Sequence, residues 1–309
     1  MKLATYHYDN CTSCGIVTGN ALIDIPSQTE YRSIKHILQQ GEAALKVLSD
    51  LPEKVSTQIP LEQVQLLPPI SEPGKILALA GNYKRHLEES KWQDGTFDDQ
   101  SVTTNPWPFM MPSTVLTGSE TEIPWPAYSE QVDYEIELAV IIGKTAHQVN
   151  PEIGFDCIGG YSIANDISAR SVTFTNGRNN RGRDPFFDWL MGKWPDGFMP
   201  LGPWMVTLDE ISDPQGLDLE LKVNGHTRQK ANTAQMIFSV GQVVSFISHL
   251  MTLQPGDVII TGTPHGVGMA DGNYLQPGDR MEATIDGIGT LRNTLGQKPK
   301  CFYNAFLKP

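Results

Sequence analysis

The chain has 309 residues, of which 39% are hydrophobic and 19% are charged, a composition typical of a soluble globular protein with a sizeable core. The formal net charge is -12 and the isoelectric point is near 5.0. A surface that binds nucleic acid needs clustered lysine and arginine, so this charge argues against nucleic-acid binding.

The sequence also argues against a membrane protein. The first ten residues contain no apolar run of the kind that a signal peptide requires, so we expect a cytoplasmic protein. Residues 236–253 are weakly polar but include Gln242 and His249, which favours a buried amphipathic helix over a membrane span. Cys11 and Cys14 form a lone CxxC, so two reduced thiols are favoured over a zinc site.

The N-terminal quarter predicts a small α/β domain. Residues 1–25 alternate as short antiparallel strands do, and residues 29–51 carry apolar side chains at helical spacing. A proline-rich connector follows at residues 66–75, so we predict domains of 1–72 and 73–309. Short apolar runs separated by turn residues predict a β-rich second domain.

Polar and turn-forming segments divide this second domain. Residues 93–107 and 175–185 are too polar to bury, so both predict long loops. The pentapeptide LQPGD occurs at 253–257 and again at 275–279, and each copy precedes an apolar strand. Pro-Gly-Asp is turn chemistry, which predicts two similar turns at the entries of strands.

Several common catalytic motifs are missing from the sequence. It contains no GxSxG nucleophile elbow and no HExxH zinc motif. The Gly-Lys-Thr at 143–145 lacks the earlier glycine of a phosphate-binding loop, and the glycines near 287 do not make a dinucleotide fingerprint. Serine hydrolases of the α/β class, zincins and P-loop enzymes are therefore disfavoured.

Two carboxylates lie on one face of a predicted strand. In VDYEIELAVIIGK, residues 132–144, apolar residues alternate with Asp133, Glu135 and Glu137, so the two glutamates point the same way. Asp166, at the exit of the strand in GYSIANDISAR, could supply a third carboxylate. Such a set without nearby His or Cys favours Mg²⁺, Mn²⁺ or Ca²⁺. A solvated strand edge is the alternative interpretation.

Three further segments could contribute to a site. His86 and Glu89 are spaced i, i+3 in NYKRHLEES, where a carboxylate could orient the imidazole as a general base or form a surface pair. Lys193, in an apolar stretch, either extends to solvent or lies over an anion. The glycine-rich VIITGTPHGVG after residue 257 could hold a carboxylate at Thr263 and at backbone N–H groups, or form a tight turn.

In their order along the chain, these motifs resemble the fumarylacetoacetate hydrolase family over roughly residues 75–295. The segments that carry the resemblance are GNYKRHLEE, VDYEIELAVIIGK, GYSIANDISAR, MGKWPDGFMPLGPWMVT, LQPGDVIITGTPHGVG and LQPGDRMEATIDGIGTLRNT. The resemblance implies an α+β fold, in which layered mixed β-sheets form the catalytic domain. It also implies a homodimer and a place in the breakdown of aromatic compounds.

The resemblance assigns roles residue by residue. Glu135, Glu137 and Asp166 match the ligands of Mg²⁺ or Mn²⁺, with Ca²⁺ as a substitute. His86 and Glu89 match a water-activating dyad, and Lys193 matches a lysine that stabilises negative charge. The positions expected to contact substrate are Arg170, Thr263, Tyr83 and Gly262.

The reaction that the resemblance implies is metal-dependent hydrolysis of a C–C bond. The substrate would be a β-dicarbonyl or acylpyruvate-type carboxylic acid, and water would be activated by His86 and Glu89. Decarboxylation, isomerisation or tautomerisation, and lyase chemistry through an enolate at the same site are the alternatives. Product masses distinguish these reactions.

Two departures from the family pattern stand out. Met111 occupies a position where many members carry lysine, so one cationic substrate contact is expected to be missing. An expanded segment before Lys193 contains Arg178, Arg181 and Arg183. These arginines could replace the missing charge or form a solvated loop.

Overall fold

The computed structural model describes residues 1–90, 104–175 and 177–305. Its fold class is α+β with layered mixed sheets, and strands outnumber helical segments, as predicted. No helix in these ranges is long and apolar enough to cross a membrane.

The strands follow the chain order β1 (Lys2–Tyr8), β2 (Cys11–Thr18), β3 (Ala21–Asp24), β4 (Ile59–Pro60), β5 (Gln65–Leu67), β6 (Ile76–Ala80), β7 (Trp107–Met110), β8 (Leu116–Thr117), β9 (Thr121–Ile123), β10 (Val132–Asp133), β11 (Ile136–Ile142), β12 (Ile158–Asn165), β13 (Ser168–Ala169), β14 (Met199–Thr207), β15 (Asp218–Val223), β16 (His226–Asn232), β17 (Val258–Ile260), β18 (Arg280–Ile285) and β19 (Gly289–Leu295).

The α-helices are α1 (Ile34–Gln40), α2 (Glu42–Ser49), α3 (Leu51–Lys54), α4 (Lys84–Glu89), α5 (Pro151–Asp156), α6 (Asp184–Met191), α7 (Val240–Leu250) and α8 (Gly268–Asp271). The helical pattern of residues 29–51 is thus split into three helices. The first ends at Gly41, whose φ of 66° is unfavourable for other residues. The predicted helix within 236–253 is α7, which begins at a capping box formed by Ser239 and Gln242.

The largest sheet has the order β4-β3-β2-β1-β14-β12-β11-β17-β6-β7, with β5 paired to β1 and β8 paired to β14. The N-terminal strands join this sheet through β1, which pairs antiparallel with β14 at Lys2↔Val206 and Leu3↔Met205. A second sheet has the order β16-β15-β18-β19-β9, and β10 pairs with β13. The proposed boundary at residue 72 therefore falls between segments that share one sheet.

Strand β11 lies inside the large sheet and is buried on both faces. Side chains of Leu138 and Val140 belong to one apolar core, whereas those of Ala139 and Ile141 belong to another. Because successive side chains alternate between faces, a strand inside a sheet that is covered on both sides reads as continuously apolar. The carboxylates that precede this apolar run lie at one end of β11, where the sheet opens into the site.

The two long loops predicted from the sequence have different outcomes. Residues 93–103 of the first lie outside the described residues, and the segment ends in β7. The second, 175–185, leads directly into α6 at Asp184. The two LQPGD turns are confirmed: Asp257 accepts a hydrogen bond from the Gln254 N–H, and Asp279 accepts one from the Gln276 N–H.

The two turns differ in burial, which gives a matched pair of variants. Asp257 is fully buried, bonds the Gln254 and Lys75 N–H groups at 2.8 Å, and pairs with Lys75 Nζ at 2.7 Å. Asp257→Ala should lower the free energy of unfolding by about 3 kcal/mol, because it leaves these donors without an acceptor. Asp279→Ala, in the more exposed copy, should lower it by about 1 kcal/mol. Equilibrium urea unfolding of both variants measures the difference, and equal losses would contradict this account.

Candidate active site

Glu135, Glu137 and Asp166 meet at the end of β11, as the sequence predicts. Antiparallel pairing sets Ile136 opposite Asn165, which brings Asp166 next to the two glutamates. The three residues are 5%, 1% and 1% exposed, respectively, and one oxygen from each lies within 4.8 Å of the others. The arrangement is therefore a buried carboxylate triad and not a solvated strand edge.

The backbone is irregular where the triad forms, because the ladder is interrupted between β10 and β11. The Glu135 N–H donates to Asn165 Oδ1 and the Ile136 N–H donates to Gln229 Oε1, both at 2.9 Å. These side chains satisfy two buried backbone donors that regular strand pairing would otherwise satisfy. Gln229, on β16, thereby links the second sheet to the site.

Two buried cations lie against the triad. Lys193 Nζ donates to Glu135 Oε2 at 2.7 Å and to Asp166 Oδ2 at 2.8 Å, and the lysine is 2% exposed. Arg170 donates through Nη2 to Glu135 Oε1 and through Nε to Asp133 Oδ2 at 3.0 Å. Of the two interpretations of Lys193, the structure shows the one in which it lies over anions.

The pKa values follow this arrangement of charge. Burial alone would raise the pKa of Glu135, but Lys193 and Arg170 outweigh it and hold the pKa at about 2. Burial, together with the charges of Asp166 and Glu135, raises the pKa of Glu137 well above its usual range. The two cations therefore offset the negative charge of Glu135 more than that of Glu137.

The donor set fits a hard divalent cation. Asp166 Oδ1 is buried and has no hydrogen-bond partner among the described residues, although a buried carboxylate oxygen normally has one. With Asp133 included, four buried carboxylates face only two buried cations, which leaves two uncompensated negative charges when all are ionised. One divalent ion would balance them, and oxygen-only ligands suit Mg²⁺, Mn²⁺ or Ca²⁺.

The predicted dyad forms on α4. His86 Nδ1 lies 3.0 Å from Glu89 Oε1, and both side chains are mostly buried. The Gly266 N–H donates to Glu89 Oε2 at 2.9 Å and to Oε1 at 3.1 Å. Glu89 therefore connects the imidazole to the glycine-rich loop, and it leaves Nε2 as the imidazole nitrogen that can accept a proton.

The glycine-rich loop, residues 262–269, binds several carboxylates through its backbone. The Gly262 N–H donates to Glu137 Oε2 at 2.5 Å, and the Gly266 N–H donates to Glu89. The N–H groups of Gly268 and Met269 donate to Asp133 at 2.6 Å and 3.0 Å, respectively. Gly266 has φ of 98°, and a Cβ there would lie 2.3 Å from the Arg228 carbonyl oxygen. The loop can therefore take this path only with glycine.

The other predicted substrate contacts bind the protein itself or lie beside the triad. The Gly262 N–H is engaged by Glu137, and the Thr263 hydroxyl donates to the Ile136 carbonyl at 3.0 Å while accepting from Gln229 at 2.9 Å. The Tyr83 hydroxyl is buried without a hydrogen-bond partner among the described residues. Burial and the charge of Glu137 raise the pKa of Tyr83. Contact of these residues with substrate stays a prediction.

A small cavity brings the predicted residues together. It has a volume of about 20 Å³, and the predicted site residues that line it are His86, Glu135, Asp166, Arg170, Lys193 and Thr263. The His86 imidazole, the two cations and two of the carboxylates thus face one space.

The two departures from the family pattern have structural explanations. Met111 is 5% exposed and packs in the apolar core that includes Ile76 and Val115. Arg178 forms two hydrogen bonds of 2.8 Å with Asp188. Arg181 pairs with Asp184 at 3.1 Å, and Arg183 is the residue that precedes α6. Two of these arginines therefore hold the start of α6 in place and do not line the small cavity.

Asp133 is the site residue that the sequence analysis passed over. It is fully buried and accepts hydrogen bonds from Arg170, from Gly268 and Met269, and from the Tyr134 N–H at 2.9 Å. The signal was present, since Asp133 lies on the same alternating face as Glu135. Its partners, however, are distant in sequence and cannot be read from a strand pattern.

Comparisons with known proteins agree with this geometry. Residues 75–296 match the family model described as fumarylacetoacetate (FAA) hydrolase C-terminal. A mitochondrial oxaloacetate tautomerase of Rattus norvegicus is 34% identical over 264 residues, which cover 85% of this chain and 79% of that protein. A maleylpyruvate hydrolase of Aquipseudomonas alcaligenes is 35% identical over 302 residues, 94% of this chain and 98% of that protein.

A solved structure is similar over nearly the whole chain. It is the maleylpyruvate hydrolase of Sphingobium sp. SYK-6 in complex with manganese(II) ion and pyruvate, with a TM-score of 0.78, 31% identity, and coverage of 97% of this chain and 100% of that one. The match to the family model and these whole-chain similarities lead to the same assignment. The chain belongs to the fumarylacetoacetate hydrolase family.

Proposed function

We propose that this enzyme hydrolyses a C–C bond of an acylpyruvate-type β-dicarbonyl acid, with Mg²⁺ or Mn²⁺ held by Glu135, Glu137 and Asp166. The observation that carries the proposal is the His86–Glu89 pair, of which His86 lines the same cavity as two of these carboxylates and Lys193. When bound, the divalent cation polarises substrate oxygens and offsets the negative charge that develops on them. The manganese and pyruvate of the Sphingobium relative support this choice of metal and of substrate class.

His86 acts as the general base. Its Nδ1–H donates to Glu89, so Nε2 accepts the proton of a water whose oxygen adds to the distal carbonyl. Glu89 is itself fixed by the Gly266 N–H, and so the ring is held in one orientation. The carboxylate also stabilises the imidazolium that forms after proton transfer.

Lys193 stabilises negative charge on the reacting oxygens. An ammonium group has three donors, and two of them are bound to Glu135 and Asp166. The third is available to a substrate oxygen in the cavity that Lys193 lines.

As the C–C bond breaks, its electron pair passes to the pyruvate fragment, which takes up a proton, and the other product is a carboxylic acid.

A second candidate reaction is tautomerisation of a 2-oxo acid. The tautomerase from Rattus norvegicus supports it, because that protein matches this chain at 34% identity over 264 residues. The same His86 base could move a proton between carbon and oxygen without activating water. This reaction leaves the substrate mass unchanged, whereas hydrolysis adds one water.

Turnover of a small panel separates these reactions. We expect acylpyruvates to yield pyruvate and a second acid in the presence of Mg²⁺ or Mn²⁺, with no turnover after EDTA. In H₂¹⁸O, mass spectrometry should find the label in the new carboxylic acid. An isobaric product from oxaloacetate or from a hydroxymuconate-type dienoate, without cleavage of any acylpyruvate, would favour the tautomerase or isomerase reaction.

The role of His86 is tested by His86→Gln. We expect kcat to fall by about 10²–10⁴-fold because the general base is lost. Binding of Mn²⁺ should be unchanged in titration calorimetry, because His86 is not one of the proposed ligands. His249→Gln, at an exposed histidine of α7, is the matched control and should keep full activity. Normal hydrolysis by His86→Gln would remove His86 from the reaction.

The metal site is tested by Glu137→Gln. We expect Mn²⁺ affinity to fall by more than about 100-fold, since losing a group that only orients a ligand already costs about 10–100-fold. The melting temperature without metal should not fall, because the variant removes one of three carboxylates that repel each other. Glu53→Gln, at an exposed residue of α3, should change neither quantity. Unchanged Mn²⁺ affinity in Glu137→Gln would exclude Glu137 as a ligand.

A further inference from the structure

The cavity at the carboxylates is too small for a substrate. Its volume of about 20 Å³ is room for roughly one water molecule. An acylpyruvate has a head that would lie at the metal and an acyl tail that must extend elsewhere. The direction of the tail is set by the space that adjoins this cavity.

A larger cavity of about 790 Å³ adjoins it. Arg170, Trp189 and Met269 line both cavities, so the two adjoin at these side chains. The volume is typical of sites that bind small molecules. Part of its wall comes from α6, the helix that the expanded segment forms ahead of Lys193.

Half of the residues that line the larger cavity are apolar, and two of these, Phe186 and Trp189, are aromatic. Phe186 and Trp189, on α6, have ring centroids 5.9 Å apart, and Trp189 packs edge-on against Phe109 at 5.0 Å. Phe186 is 56% exposed, so its ring is available to a bound molecule. Aromatic rings on one side of a small-molecule cavity favour a flat apolar group, which could stack on them.

The charges around this cavity do not favour an anion. Its charged lining residues are Glu130, Arg170 and Asp188. Arg170 is already paired with Asp133 and Glu135, and Asp188 is paired with Arg178. Among the described lining residues there is thus no cation without a carboxylate partner. A second carboxylate in the substrate would face Glu130 and lose hydration without gaining an ion pair.

We propose that the cavity bounded by α6 binds an uncharged apolar tail of the substrate, preferably aromatic, and disfavours a tail that ends in a carboxylate. The proposal rests on the proposed function only for the position of the 2-oxo acid head at the carboxylate triad. Phe186 is then a residue that determines specificity. Phe187 is a natural control, because it is next to Phe186, is 49% exposed and is not among the residues that line the cavity.

The test compares two 2-oxo acids that differ at the far end. Titration calorimetry of the Mg²⁺-loaded enzyme would use 5-phenyl-2-oxopentanoate and 2-oxohexanedioate. We expect the phenyl compound to bind at least about tenfold more tightly, because a buried phenyl ring gains apolar contact while a carboxylate loses hydration. Tighter or equal binding of the dicarboxylate would overturn the proposal, as would binding of neither compound.

Two variants of Phe186 locate the effect. Phe186→Ala should weaken binding of the phenyl compound by about fivefold, corresponding to the loss of some 40 Å² of apolar contact. Phe186→Arg should weaken the phenyl compound and tighten the dicarboxylate. The same substitutions at Phe187 should leave both affinities unchanged, and equal effects at the two positions would overturn the proposal. Because these measurements record binding, failure of the C–C cleavage reaction would appear separately, in the turnover panel.

Discussion

Repulsion among three buried carboxylates is the constraint on which the site depends. Their oxygens lie within 4.8 Å of one another, where each like-charge pair costs at least about 3 kcal/mol at an effective dielectric constant of 20. Lys193 and Arg170 offset part of this cost, and both are themselves buried, so neither side would be tolerated without the other. The charge that they leave uncompensated is the charge that one divalent cation would balance.

One loop connects the carboxylate triad to the His86–Glu89 pair. Through its N–H groups, the glycine-rich loop binds Glu137 of the triad, Glu89 of the dyad, and Asp133, which in turn holds Arg170. The positions of Glu137 and of the His86–Glu89 pair are therefore not independent. A shift of this loop would move both at once, and the loop is confined by the close approach of Gly266 to the strand that carries Arg228. Glycine is needed at residue 266 because a side chain there would collide with the Arg228 carbonyl oxygen. The path that glycine permits points the loop N–H groups at the carboxylates.

The sequence predicted the parts of the site that depend on local periodicity. Alternation placed Glu135 beside Glu137, and i, i+3 spacing paired His86 with Glu89, because both patterns involve neighbours along the chain. It did not predict the partners of Asp133 or the pairing of β1 with β14, which join residues up to about two hundred positions apart. Lys193 was left between two interpretations, since an apolar context fits both a buried ion pair and an extended side chain. The first break in the helical pattern of residues 29–51 falls at Gly41, and the second falls at Asp50.

Relatives with different reaction names match this chain over most of its length, so the family fold alone does not determine which molecule reacts. Selection among substrates must come from residues that touch the substrate away from the carboxylate triad. In this chain the relevant wall is α6, whose start is fixed by Arg178 and Arg181 pairing with Asp184 and Asp188. Because Arg178 and Arg181 are paired with these carboxylates, their charges are not available to a substrate. Met111 stands where many family members carry lysine, and its side chain packs in the apolar core. Both departures from the family pattern therefore act in the same direction, toward a tail pocket defined by aromatic contact and not by charge.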